Sequence, residues 1–342
     1  TITPLFTFQV TAGECATGTA PTAGCTIAVD DTIYTMTGNI APASGTPGIY
    51  FNSGSDDNTV TLTGDISTSG AFATGLYLRS SENNTTTMTG NISTSGYAAY
   101  GWRSRGSGND NNTTTIKGNI STAGEASRGL DLYASDSNTT TVTGNISTEG
   151  SNAAGVYLDG SDSNSNTVTG NISTEGNYAY GLRLTNSDSN SNTVTGNIST
   201  EGPGAMGLYL TGSYSNTTTI NGNISTEGID AIGLRLTSSG SNTTTINGNI
   251  STSGADAHGI YDQTSTGNSI TNLGTIATSA SGTYGIYISS STLATLNNKQ
   301  AGLTYYGKVP TNYNIIIRGD TDYGKTTFSS VSSTMTFGID LT

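Results

Sequence analysis

Thr-Gly-Asn-Ile-Ser-Thr-Glu-Gly, residues 143–150, recurs unchanged at 169–176 and 195–202, and with small variations along most of the 342-residue chain. Its Ile sets the period, falling at Ile40, Ile66, Ile92, Ile120, Ile146, Ile172, Ile198, Ile224, Ile250 and, as Gly-Thr-Ile, Ile276. The interval is 26 residues except between Ile92 and Ile120, where it is 28, with the two extra residues in the Gly/Asn-rich run Arg105–Asn112. A short fixed period is the signature of a solenoid.

The content of one period selects the kind of solenoid. Ala205–Ile224 reads Ala-Met-Gly-Leu-Tyr-Leu, Thr-Gly-Ser-Tyr-Ser-Asn, then Thr-Thr-Thr-Ile-Asn-Gly-Asn-Ile. β-Branched, leucine and tyrosine residues fill the runs, and Gly, Ser, Asn and Asp fill the gaps, which is strand and turn chemistry. No unit carries an amphipathic helical pattern. One unit is too short to close a core alone, so its apolar positions must be covered by the next copy. The chain is therefore all-β: a right-handed parallel β-helix of about ten 26-residue coils with N- and C-terminal capping strands. The hand follows from the preference of parallel crossovers.

Stacking converts repeat positions into ladders. Four aliphatic columns form the expected core. They are the period-setting Ile, the column Met36 to Ile246, and the two columns flanking the Tyr of Gly-Leu-Tyr-Leu, one from Ile49 to Ile286 and one from Phe51 to Ile288. Asn58, Asn84, Asn112, Asn138, Asn164, Asn190, Asn216, Asn242 and Asn268 form a structural Asn ladder, at a corner whose left-handed backbone Asn tolerates. The column Gly70 to Gly254 marks another corner, and a bend or bulge is expected near Gly75 and Gly101.

Three regions follow: an N-terminal strand and cysteine loop at 1–30, solenoid repeats at 31–290, and a cap or junction at 291–342. Thr1–Thr11 alternates like a strand that covers the open end. No leader precedes Thr1, so a signal segment is expected to be absent or removed. Cys15 and Cys25, the only cysteines, suggest one disulfide, with two free thiols as the alternative.

Gly-Asn-Ile-Ser-Thr-Ser-Gly-Tyr-Ala-Ala-Tyr-Gly (90–101), Leu-Asn-Asn (296–298) and Leu-Thr-Tyr-Tyr-Gly-Lys-Val-Pro-Thr-Asn-Tyr-Asn-Ile-Ile-Ile (303–317) resemble bacterial autotransporter passengers, the tail more sharply than the repeats. The resemblance implies a secreted β-helix followed by a junction domain and a membrane barrel. No barrel-like strands follow Thr342. Either the passenger has been cleaved from its barrel, or the module has been put to another use.

Composition agrees with an extracellular or bacterial cell-surface setting. Charged residues make up 10% of the chain, against roughly 25% in ordinary domains. The net charge of −13 makes nucleic acid and anionic membranes poor partners, and no apolar run suits membrane insertion. The Asn-X-Ser sequons at Asn91, Asn119 and Asn145 are generated by the repeat.

Little in the columns is convergent enough for catalysis. Glu149, Glu175, Glu201 and Glu227 form one acidic column. Asp56, Glu82, Asp110, Asp136, Asp162 and Asp188 form another, two residues before the Asn ladder, where carboxylates either splay into solvent or share calcium. Repetition alone produces such pairs, so they do not mark a glycosidase. His258, the single histidine, sits in a variable column and reads as a surface position. A last column carries Tyr50, Tyr77, Arg103, Asp131, Tyr157, Arg183, Tyr209, Arg235, Tyr261 and Tyr287. Rings and guanidinium planes at this spacing stack, and Arg103 is placed to pair with Asp131. Ladder stabilisation is the plainer reading of this column; a contact ridge for glycans or a second solenoid is the functional one.

The sequence thus points to a non-catalytic rod in cell-surface adhesion or self-association, lateral or head-to-tail. The alternative is a subunit polymerising end to end into an extracellular filament, and a polysaccharide-degrading enzyme ranks below both.

Overall fold

The computed structural model describes residues 13–330 and 333–341; the expected strand Thr1–Thr11 lies outside them. Between Thr59 and Thr278 each coil contributes one strand to each of three sheets. In one coil Thr139–Thr143 enters sheet B, Ile146–Glu149 sheet C and Ala154–Asp159 sheet A, before Ser165–Thr169 returns to sheet B. Among the described residues sheets A and B have fourteen strands and sheet C has nine, from Ile66–Ser69 to Ile276–Thr278. The strand ladders are parallel, and the period-setting Ile pairs with its own copy from coil to coil, Ile120 with Ile146 and Ile146 with Ile172. The chain is a right-handed parallel β-solenoid.

Register survives the irregular interval because both neighbouring strands stay in phase. Trp102 pairs with Leu76 and Leu130, and Thr113 pairs with Thr85 and Thr139. The two extra residues are absorbed between Arg105 and Thr113, outside the paired strands. At the C-terminal end the chain drops sheet C but keeps the other two. Ala301–Tyr306 and Lys325–Ser329 extend sheet A, while Asn312–Ile317 and Thr336–Leu341 extend sheet B. At the other end Gly13–Glu14 and Cys25–Ile27 begin sheet A, and a disulfide joins Cys15 to Cys25.

The four aliphatic columns are the core, and the period-setting Ile is at most 5% exposed in every coil. Glycine makes this packing possible at one place in each coil. A Cβ on Gly75 would collide with Ile92 and with the carbonyl of Gly101, and the same clash recurs at Gly101 with Ile120 and Gly129.

Polar columns, not only aliphatic ones, line the interior. Thr68, Thr94, Thr226 and Thr252 are buried and donate to the carbonyls of Ala73, Ala99, Ala231 and Ala257. Asn166 donates to Asn192 inside the coil.

The corners are held by side chains standing in for backbone. In the Asn ladder each backbone N–H donates to Oδ1 of the Asn one coil ahead, from Asn58 to Asn84 at 2.9 Å through Asn242 to Asn268 at 3.1 Å. Each Nδ2 donates back to a backbone carbonyl, of a Ser in most coils, as Asn164 does to Ser135, but of Val29 for Asn58 and of Asn109 for Asn138. The left-handed residue at this corner precedes the ladder Asn: Asp57, Asn83, Asn111 and Ser137 have φ of 57–59°. The ladder Asn therefore supplies hydrogen bonds, while its neighbour makes the turn. Beside it runs a buried Ser column, in which Ser161 N–H donates to Ser187 Oγ and Ser187 N–H to Ser213 Oγ.

Candidate functional site

The outer surface of sheet A is where the copies differ most. In strict cross-strand register it carries Tyr50, Tyr77, Arg103, Asp131, Tyr157, Arg183, Tyr209, Arg235, Tyr261 and Tyr287, and then Tyr306, which belongs to the tail. A second column, also facing out, supplies Tyr100, Arg128, Tyr180, Met206, Ile232, His258 and Tyr284. Tyr50 and Tyr157 are buried, and the remaining ring and guanidinium positions of the first column are half-buried.

The two columns interleave into one stack. Tyr50 lies 5.2 Å from Tyr77, and the Arg103 guanidinium sits 5.6 Å over Tyr77 and 4.4 Å over Tyr100. Arg128 lies 3.9 Å over Tyr157, Arg183 4.8 Å over Tyr180, and Arg235 5.6 and 5.4 Å over Tyr209 and Tyr261. His258 stacks 4.6 Å from Tyr287, which stacks 5.0 Å from Tyr306. Each such contact is worth about 0.5–1 kcal/mol at an exposed site and more where desolvated.

One point of the stack is convergent. Asp131 is fully buried, its Oδ2 2.9 Å from Arg103 Nε as an ion pair without hydrogen-bond alignment, and Arg128 Nη1 donates to its Oδ1. Two cations therefore share one carboxylate, leaving a local positive charge. Burial works against the charge on Arg128, but Asp131, Tyr100 and Tyr157 together hold its pKa above the ordinary value. Burial pushes the Tyr100 hydroxyl up, and Asp131 adds to the shift. Sequence reasoning found the Arg103–Asp131 pair; it placed Tyr100 and Arg128 in the variable column of His258, which it read as surface, and did not bring that column onto Asp131.

His258 is half-buried rather than a surface residue. Its Nδ1 accepts the Tyr284 backbone N–H at 3.0 Å, and burial lowers its pKa. It lines an open groove of about 510 Å³ together with Tyr178, Met206, Ile232, Arg235 and Tyr261. A larger groove of about 1000 Å³ lies at the N-terminal end of the same face, between Tyr50, Tyr77, Arg79, Arg103, Arg105 and Phe72.

The acidic column forms a hydrogen-bond ladder. Oδ1 of Asp56 accepts the Glu82 N–H at 2.7 Å. Asp110, Asp136, Asp162 and Asp188 do the same for Asp136, Asp162, Asp188 and Tyr214, at 2.7–2.9 Å. Asn39, Asp65, Asn91 and Asn119 form an exposed ladder of the same polarity. Sequence reasoning read Asn91, Asn119 and Asn145 only as sequons generated by the repeat and did not read the ladder. Glu149, Glu175, Glu201 and Glu227 are exposed in sheet C. Among the described residues no group of three or more His, Cys, Asp or Glu side chains is placed to hold a metal ion, and no helix is long and apolar enough to cross a membrane.

These features define a β-solenoid with one face built as a cation–aromatic stack. A family model described as "Periplasmic copper-binding protein (NosD)" matches residues 23–224, more than half of the chain, and the chain belongs to that family. Neither the curated proteins nor the solved structures contain a match.

Proposed function

We propose that the chain is a secreted, non-catalytic rod acting in surface adhesion or self-association, as its resemblance to autotransporter passengers implies, with the outer face of sheet A as the contact surface. The observation that carries this is the register of Tyr and Arg side chains along that face, uninterrupted from Tyr157 to Tyr287. A row of half-buried rings and guanidinium groups offers aligned donors and apolar edges over many coils, which suits an extended partner better than a small molecule. The disulfide and the periplasmic setting in the family's description support an export route.

The family's description also names copper, and the donor set here does not fit it. Cys15 and Cys25 are joined to each other, Met36 and Met88 are sealed in the core, and His258, whose Nδ1 accepts an amide, shares its groove with a single sulfur side chain, Met206. Thr1–Ala12 contains no His, Cys, Met, Asp or Glu. No copper chemistry is assigned to this chain.

The test is Arg183→Ala combined with Arg235→Ala in the whole chain. Clumping and attachment to cells should fall at least tenfold while the β-rich spectrum persists; unchanged attachment would place the contact surface elsewhere. A second reading, end-to-end assembly, is favoured by Thr336–Leu341, the outermost described strand of sheet B, where Phe337 and Ile339 are 61% and 68% exposed. Electron microscopy separates the two, since only that reading expects continuous fibres.

A further inference from the structure

The chain carries seven arginines, and six of them, Arg79, Arg103, Arg105, Arg128, Arg183 and Arg235, lie on strands of sheet A. In a protein of net charge −13 this is a strong segregation of cations onto one face. It is densest at the N-terminal groove, where Arg79, Arg103 and Arg105 meet Tyr50 and Tyr77, with Glu14 as the carboxylate of the lining.

Arg79 and Arg105 are direct cross-strand partners in that groove, and both are exposed. Like charges placed opposite each other on adjacent strands destabilise a sheet. Neither forms an ion pair among the described residues; Arg79 Nη1 donates to the Tyr50 hydroxyl at 3.4 Å, and Arg105 lies 5.2 Å over Tyr133. Asp131, the nearby buried acid, is already shared by Arg103 and Arg128. The groove thus holds more positive charge than the fold neutralises, and an anion lying across the two coils would relieve it.

The aromatic residues narrow the class of anion. Tyr77 and Tyr100 carry the Arg103 guanidinium over their rings, Tyr50 packs at a tilt against Tyr77, and Phe72 meets Tyr97 edge to face. Platforms for single-stranded nucleic acid stack successive bases on a row of aromatic faces, and here the Tyr77 and Tyr100 faces are covered by Arg103. Hydroxyls, guanidinium N–H groups and ring edges remain for the ligand, which are partners for carboxylates and sugar hydroxyls. Coils repeat at about 4.8 Å, so positions two coils apart, such as Tyr50 and Arg103, lie about 9.6 Å apart. That is the length scale of a disaccharide in an extended chain.

We infer that the N-terminal groove of sheet A binds an acidic polysaccharide, a uronate-bearing polymer lying along the solenoid axis with its carboxylates on Arg79, Arg103 and Arg105. This deepens the adhesion reading and rests on it. The experiment measures binding of the whole chain to polygalacturonate, to its methyl ester, to polyglutamate and to a single-stranded thymidine oligonucleotide, together with attachment to cells. Polygalacturonate should bind best, weakening steeply with salt, and the ester at least tenfold more weakly. Arg79→Gln with Arg105→Gln should cost at least tenfold on polygalacturonate and leave the melting temperature unchanged or higher, because a like-charge pair is removed. Equal binding of acid and ester, equal binding of polyglutamate or the oligonucleotide, or an unaffected double variant would overturn the assignment. Cell attachment without polygalacturonate binding would overturn it while leaving the adhesion reading in place. Failure of both would remove the adhesion reading as well.

Discussion

Asp262 stands in the fourth core column, between Leu236 of the preceding coil and Ile288 of the next, and is fully buried. Neither carboxyl oxygen has a hydrogen-bond partner, although Ser265, Ser291 and Asn268 face it. Burial raises its pKa, and those three polar groups oppose the rise without cancelling it. Asp262→Leu should therefore stabilise the protein. Burying a leucine side chain is worth about 1.5–3 kcal/mol, and removing an unpartnered buried polar group recovers about 1–3 kcal/mol. The larger side chain can cost about 1–3 kcal/mol in local repacking, although this column holds aliphatic side chains in the coils above and below. The net expectation is a gain of about 2–3 kcal/mol at neutral pH.

The pH dependence supplies the sharper test. A carboxyl with a raised folded pKa binds its proton more tightly in the folded state, so its contribution is most favourable below the unfolded pKa. That contribution is lost as pH rises towards the folded pKa. Chemical denaturation of wild type and Asp262→Leu at several pH values, compared as a difference, should show the variant's advantage growing from acid to neutral pH. Asp262→Asn, neutral and of similar shape, should retain part of the gain. A variant less stable than wild type at neutral pH, or a difference that does not change with pH, would refute the reasoning.

Leu208→Asp, at a fully buried position of the third column, should cost several kcal/mol and expose several coils to protease, because each coil buries its neighbours. Asp162→Ala removes a carboxylate that accepts the Asp188 amide and should cost about 1 kcal/mol in a denaturant titration, whereas Asp162→Asn should cost less, since Asn holds the equivalent position in the exposed ladder. An NMR titration of His258 should give a midpoint below the ordinary histidine value, with stability lost as pH falls from the unfolded pKa towards it. Copper(II) added to the purified chain should leave its melting temperature unchanged.

The fold was legible because a parallel solenoid repeats its physics with its sequence. A position that must be apolar in one coil must be apolar in the next, so the period-setting Ile column could be read without coordinates. The direction of the ladder hydrogen bonds could not be read. The buried Asn ladder accepts from the coil behind, and the acidic and Gly-Asn-Ile ladders accept from the coil ahead. Sequence gives the spacing of such groups but not which way a side chain leans, and for that reason the acidic column looked like a repulsive or cation-sharing array. The compensation at Ser104 was hidden for a similar reason. Where that core position turns polar, Asn109 replaces the usual ladder Ser and donates to Ser104 Oγ, while Ser135 Oγ lies 2.6 Å from the same atom. Asp262 has no such substitution beside it, since Ser265 keeps its ladder place.

Constancy and variation between copies therefore divide the molecule. The Ile, Asn and Ser columns scarcely change because each residue must match its counterparts in two neighbouring coils. Positions facing out from sheet A have weaker demands, since Tyr, Arg, Met, Ile and His all fit a stack with adjustable partners. A face whose only role was stacking would be best served by one repeated ring, as the Asn ladder is by one repeated amide. The stack instead alternates rings with cations, buries a carboxylate between Arg103 and Arg128, and sets Arg79 against Arg105 at a cost to the sheet. Stacking alone gives no reason for that last arrangement. Anion recognition does, and the Arg79/Arg105 groove is the first place to look for what this rod holds.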